Sequence, residues 1–104
     1  MHPLIRQHEA MIASLCRRYG VVRLDVFGSL LGADFDPLRS DIDLVIEFDP
    51  AMPGSALHRY FDLKQELERL FKRPVDLVEL NSMPDTRLKR SIARSKVPLF
   101  AATT

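Results

Sequence analysis

Apolar residues Leu4, Ile5, Met11, Ile12, Leu15, Cys16 and Tyr19, with His8 as a filler, recur at the i, i+3/i+4, i+7 spacing of one helical face, and Gly20 follows as a stop. This pattern predicts an amphipathic helix of about four turns. Val21–Phe27 then switches to a period of two, with Val22, Leu24 and Val26 on one face, and reads as a strand. Gly28-Ser29-Leu30-Leu31-Gly32 breaks it, and the turn-rich stretch from Asp34 to Ser40 leads into a second strand over Asp41–Phe48. There Ile42, Leu44, Ile46 and Phe48 share one face, which leaves Asp41, Asp43, Val45 and Glu47 on the other.

Asp49–Gly54 reads as a loop and Ser55 as the N-cap of a further helix, whose stripe is Leu57, Tyr60, Phe61, Leu67, Leu70 and Phe71. Glu68 and Lys72, four residues apart, suggest a solvated outer face, and Arg73-Pro74 ends the helix. Val75–Leu80 is a third strand, with Asp76 opposite Val75 and Leu77. A short basic helix from Thr86 to Arg94 and a Val97–Phe100 apolar patch complete the pattern. Helices interleaved with a few strands predict an α/β or α+β class, a small mixed β-sheet flanked by helices. The 104 residues suit one domain, 1–104, with no room for a separate acceptor-binding domain.

Composition narrows the function classes. One cysteine cannot form an internal disulfide and the Met-His-Pro start lacks a secretory pattern, so a reducing cytoplasm is expected. No stretch approaches the roughly 18 apolar residues of a membrane span, so no membrane partner is expected. The net charge of +1 hides a segregation. Val21–Asp49 sets two arginines against seven acids, a net of −5, whereas residues 81–104 set five basic side chains against Asp85, a net of +4. The basic stretch has no interleaved aromatics, so direct nucleic-acid binding is not expected, and an acidic protein or a nucleotide is at least as good a partner. His2, His8 and His58 lack transition-metal spacing, and Cys16 sits in a helical stripe, as a buried thiol would.

Three carboxylates interrupt apolar strands: Asp41 and Asp43 two apart, and Asp76 on a later strand. An i, i+2 pair in a strand projects from one face, so Asp41 and Asp43 can bring their oxygens together. Such a pair calls for a counter-charge, for which a hard divalent cation suits. Alone, an Asp-x-Asp also fits the wet face of a half-exposed sheet. Gly28-Ser29 at a strand end adds a turn where the backbone can approach an anion such as a polyphosphate. Together these parts point to metal-assisted phosphoryl transfer.

Phe27-Gly28-Ser29 followed by Ser40-Asp41-Ile42-Asp43-Leu44 resembles the Gly-Ser…Asp-x-Asp signature of the nucleotidyltransferase superfamily that includes DNA polymerase beta and kanamycin nucleotidyltransferase. The chain is most similar to its minimal nucleotidyltransferase (MNT) group, over roughly Leu4–Phe100, in length, leading helix, Val-Asp-Leu-Val segment and basic final stretch. The resemblance implies a polymerase beta-like fold and an antitoxin that transfers AMP from ATP to a tyrosine hydroxyl of a partner HEPN toxin. It implies that Gly28 and Ser29 hold the nucleotide phosphates, with Ser40 supporting the start of the second strand. It further implies that Asp41, Asp43 and Asp76 are catalytic and ligate two Mg²⁺ ions. Members often continue the turn as Gly-Ser-x-Ala-Arg-Gly, whereas Leu30-Leu31-Gly32-Ala33 here carries no arginine and the linker to Ser40 is about one residue longer. A second reading is therefore an MNT-type antitoxin, catalytically weak or inactive, that neutralises its partner by binding alone. Homo- or hetero-oligomers are compatible with either reading.

Overall fold

The computed structural model describes residues 3–28 and 41–102. Two helices, α1 (Pro3–Gln7) and α2 (Glu9–Arg18), precede strands β1 (Val21–Phe27) and β2 (Ile42–Phe48). Helix α3 (Ala56–Phe71), β3 (Val75–Glu79), a 3₁₀ turn at Leu80–Ser82, α4 (Arg87–Ser95) and β4 (Val97–Ala101) follow. The strands form one sheet in the order β3-β2-β1-β4. β1 is antiparallel to both β2 and β4, and β2 is parallel to β3, so the sheet is mixed as the sequence predicts.

Period-two alternation sends Leu24, Val26, Ile42, Leu44, Ile46, Val75 and Leu77 to one face, where they join Ile5, Ile12, Leu15, Cys16, Leu63, Leu67 and Phe71 of α1, α2 and α3 in the main core. Each such side chain contributes about 1.5–3 kcal/mol by leaving water. Burial pushes the Cys16 thiol up to about 12, so it is an inert part of this core, as its place in the stripe implies. Among the described residues no helix is long and apolar enough to cross a membrane.

The parallel links β2–α3–β3 and β3–α4–β4 travel across the sheet in opposite directions. The right-handed rule for such crossovers therefore puts α3 and α4 on opposite faces. Helix α3 covers the main core, which leaves α4 to the other face; its buried Ile92 is outside that core. The helix ends follow from local chemistry. The Ser55 hydroxyl accepts from the His58 backbone N–H at 3.3 Å, the Thr86 hydroxyl from that of Lys89 at 3.2 Å, and Lys72 closes α3 in the left-handed region.

The sequence pattern errs in five places. The expected single N-terminal helix is interrupted at His8, whose ring packs edge-on against Phe71. Met11, Leu57 and Phe61, placed in apolar stripes, are exposed. Glu68 does not pair with Lys72; its Oε2 accepts from the Val75 N–H at 3.0 Å and so fastens the start of β3. Leu80 belongs to the 3₁₀ turn, which ends β3 at Glu79. The Val97–Phe100 patch is a fourth strand, and its Pro98 is tolerated because β4 lies at the sheet edge.

Candidate functional site

The second face of the sheet carries the polar residues of the alternation. Register places Phe27 beside Asp43, Asp25 beside Val45 and Arg23 beside Glu47, and on the other side Asp43 beside Asp76. Parallel neighbours of this kind lie about 4.8 Å apart in the hydrogen-bonding direction. Asp41 stands one residue before β2 and is exposed, as is Asp76, whereas Asp43 is half-buried. The electrostatics agree with this grouping. The Asp43 carboxyl is held above the ordinary carboxylate range, first by burial, then by the charge of Asp76, then by that of Asp41. The three acids selected from the sequence are therefore neighbours on one end of one face.

Gly28 fixes how close the end of β1 can come to them. Its φ is +75°, and a Cβ at this position would collide with Oδ2 of Asp43. The missing side chain is what lets the carboxylate lie against the backbone. A Gly28→Ala change is expected to cost roughly 1–2 kcal/mol for the left-handed backbone and to push the Asp43 carboxylate aside. The measurement is a thermal melt with and without Mg²⁺: a variant that melts like the wild type and responds equally to the ion would show that the contact does not matter. Ser29 and Ser40, the other two residues assigned to the nucleotide, lie outside the described residues.

The donor set suits a hard divalent cation, because all three groups are carboxylates and the space above Gly28 lies against one of them. Among the described residues no three His, Cys, Asp or Glu side chains are converged as a finished metal cage. Tyr60, on α3, ties down the strand that carries the third acid. Its hydroxyl donates to the carbonyl of Leu77, next to Asp76, and its own proton is held more firmly than usual by burial and then by the charges of Asp76 and Glu79.

One residue of this face escaped the sequence reading. Asp25 is 1% exposed although its side chain is a carboxyl group. Its carboxylate accepts from Lys96 Nζ at 2.8 Å and from Arg23 Nε at 3.0 and 3.1 Å. Its signal was an acid in the middle of a hydrophobic strand, but the compensating lysine lies 71 positions away. A cleft of about 170 Å³ next to this cluster is lined by Arg23, Asp25, Val45, Glu47, Asn81 and Lys96, among others. A larger one, about 540 Å³, sits at the opposite end of the strands, by Gly20, Val21, Asp49 and Phe100, away from the acids. The chemistry of the acids, rather than cleft size, locates the site.

A mixed sheet in an α+β fold that brings Gly28, at the end of β1, to Asp43 on β2 and Asp76 on β3, with Asp41 just before β2, has the architecture of a nucleotidyl-transfer domain. The nucleotidyltransferase domain family matches residues 9–99, and the chain belongs to that family. A solved structure described as a candidate minimal nucleotidyltransferase is 33% identical over 94% of this chain and 96% of its own, with a TM-score of 0.75. A toxin-antitoxin structure with AMP-PNP is 26% identical over 90% of this chain and 73% of its own, with a TM-score of 0.66. A tri-AMPylated Shewanella oneidensis HEPN toxin in complex with an MNT antitoxin matches at 23% identity over 94% of this chain and 73% of its own. With a TM-score of 0.64, that likeness is one of fold. No match was found among curated proteins.

Proposed function

We propose that this chain is a magnesium-dependent nucleotidyltransferase that acts as one domain in the cytoplasm and transfers AMP from ATP to a tyrosine hydroxyl of a HEPN-type toxin, as its antitoxin. The carrying observation is the register of Asp43 with Asp76 at the point where Gly28 leaves the backbone open. The neighbour with AMP-PNP in a toxin-antitoxin structure supports both the nucleotide and the partner.

In this reading Asp41 and Asp43 hold two Mg²⁺ ions and Asp76 completes the set. Gly28 and Ser29 face the β- and γ-phosphates, and Ser40 steadies the start of β2. When bound, the metal offsets the charge that grows on the α-phosphate and on the departing pyrophosphate. Asp76, on the exposed edge of the carboxylate cluster, orients the acceptor hydroxyl and receives its proton. The hydroxyl oxygen forms a bond to the α-phosphorus as the bond from that phosphorus to the β-phosphate bridge oxygen breaks.

The test is co-expression with a HEPN-type partner, followed by the intact mass of that partner. We expect a gain of one or more AMP units that disappears when Asp76→Asn replaces the wild type. A partner that is bound and silenced without any gain in mass would overturn AMP transfer and favour neutralisation by binding alone.

A further inference from the structure

The cleft beside Asp25 lies on the same face as Asp43, displaced along the strands. Val45, its buried floor, is two residues from Asp43, about 7 Å along β2. That separation is comparable with the span of one ribose. The connection from β3 to β4 supplies the walls, with Leu80 and Asn81 of the 3₁₀ turn after β3 on one side and Lys96, just past the end of α4, on the other. At about 170 Å³ the cleft has room for one ring system, well below the roughly 300 Å³ where pockets for drug-sized ligands begin. A whole nucleotide does not fit, and one end of it does.

The lining is also selective in chemistry. Arg23 and Lys96 are matched by Asp25 and Glu47, so the formal charge of the cleft is zero and it offers no net attraction to a phosphate. Val45 and Leu80 are apolar, while Glu47 and Asn81 stand at the rim as an acceptor and a mixed donor and acceptor. Apolar surfaces below a polar edge suit a flat heteroaromatic ring with apolar faces and hydrogen-bonding edges. Glu47, as an acceptor-only group, favours an edge that carries an amino group and opposes a carbonyl oxygen.

From these features we infer that the cleft is the base-reading site of the enzyme, taking a nucleobase with an exocyclic amino group while the phosphates lie at Gly28 and Asp43. This rests on the nucleotidyltransferase reading above and adds to it the residues that choose the nucleotide. Glu47 and Asn81 are the specificity determinants. Both are exposed and neither closes the buried ion pair, so their replacement spares the fold.

The experiment is calorimetric titration of ATP, UTP and inorganic tripolyphosphate, with Ca²⁺ to slow turnover, into wild type, Glu47→Gln and Asn81→Ala. ATP is expected to bind about tenfold more tightly than UTP or tripolyphosphate. Each variant should bring ATP close to UTP and leave tripolyphosphate unchanged. Wild type that binds all three alike overturns the base-reading site and leaves the phosphate and metal site standing. The base-reading site is equally overturned if the variants weaken ATP and tripolyphosphate to the same extent, or if they leave nucleotide affinity intact and impair only transfer to a protein, which would put the acceptor in the cleft. Loss of every interaction in the wild type would overturn the nucleotidyltransferase reading together with this one.

Discussion

Asp43→Asn is expected to raise the melting temperature of the metal-free protein at neutral pH while lowering nucleotidyl transfer by about a thousandfold, since metal stabilisation of the transition state is worth several kcal/mol. The two effects share one cause. Burial, then Asp76, then Asp41 lift the Asp43 carboxyl above its ordinary range, so its ionised form is the costly one in the fold. A group whose folded pKa exceeds its unfolded value contributes stability that is complete below the unfolded pKa and is lost as pH rises through the folded one. Metal-free wild type should therefore gain stability from this group on acidification out of the neutral range, and the asparagine variant should lack that component. Mg²⁺ should raise the melting temperature of the wild type and leave that of the variant nearly unmoved. Calorimetry across a pH series, with EDTA or with Mg²⁺, reads all of these, and a variant that melts lower than wild type in EDTA at neutral pH would show that the carboxylates are not in conflict.

The acids were legible in the sequence because a strand has a period of two. Asp43 sits between Ile42 and Leu44, and Asp76 between Val75 and Leu77, so each was bound to face away from the core whatever the topology. That Asp43 and Asp76 are adjacent is a matter of register, which no local pattern states. At β1 the period of two turns Asp25 away from the core but does not show that it is buried, because the Lys96 that meets it arrives only with the return of the chain after α4. The strand β4 that follows Lys96 looked like an apolar patch, because five residues with a proline at the second carry little periodicity. At the N-terminus the helical spacing was correct, but it could not show the break at His8. For α3 the stripe was drawn too wide. Tyr60 turns inward to the β3 backbone while Leu57 and Phe61 remain outside.

Asp25→Ala is expected to be the most destabilising single change on this face, by about 3 kcal/mol, because it strands an enclosed ammonium. For a chain of this size that lowers the melting temperature by roughly 10–20 °C. Lys96 has 17% of its side chain exposed and Arg23 has 44%, so the lysine has the less access to water and suffers more from the loss. The converse change, Lys96→Met, should cost less, since Arg23 still meets the carboxylate through Nε. Because the pair joins the turn before β4 to the middle of β1, its rupture should show as faster amide exchange in β4 and in the end of β1 that carries Gly28. The double change Asp25→Leu with Lys96→Met separates an ion pair from a mere packing position. Replacing both partners by apolar groups of similar bulk should recover most of the loss, whereas a double variant as unstable as the sum of the singles would mean that the two side chains act independently. Recovery of the fold with weakened ATP binding would further place the Lys96 charge in the site rather than in the scaffold.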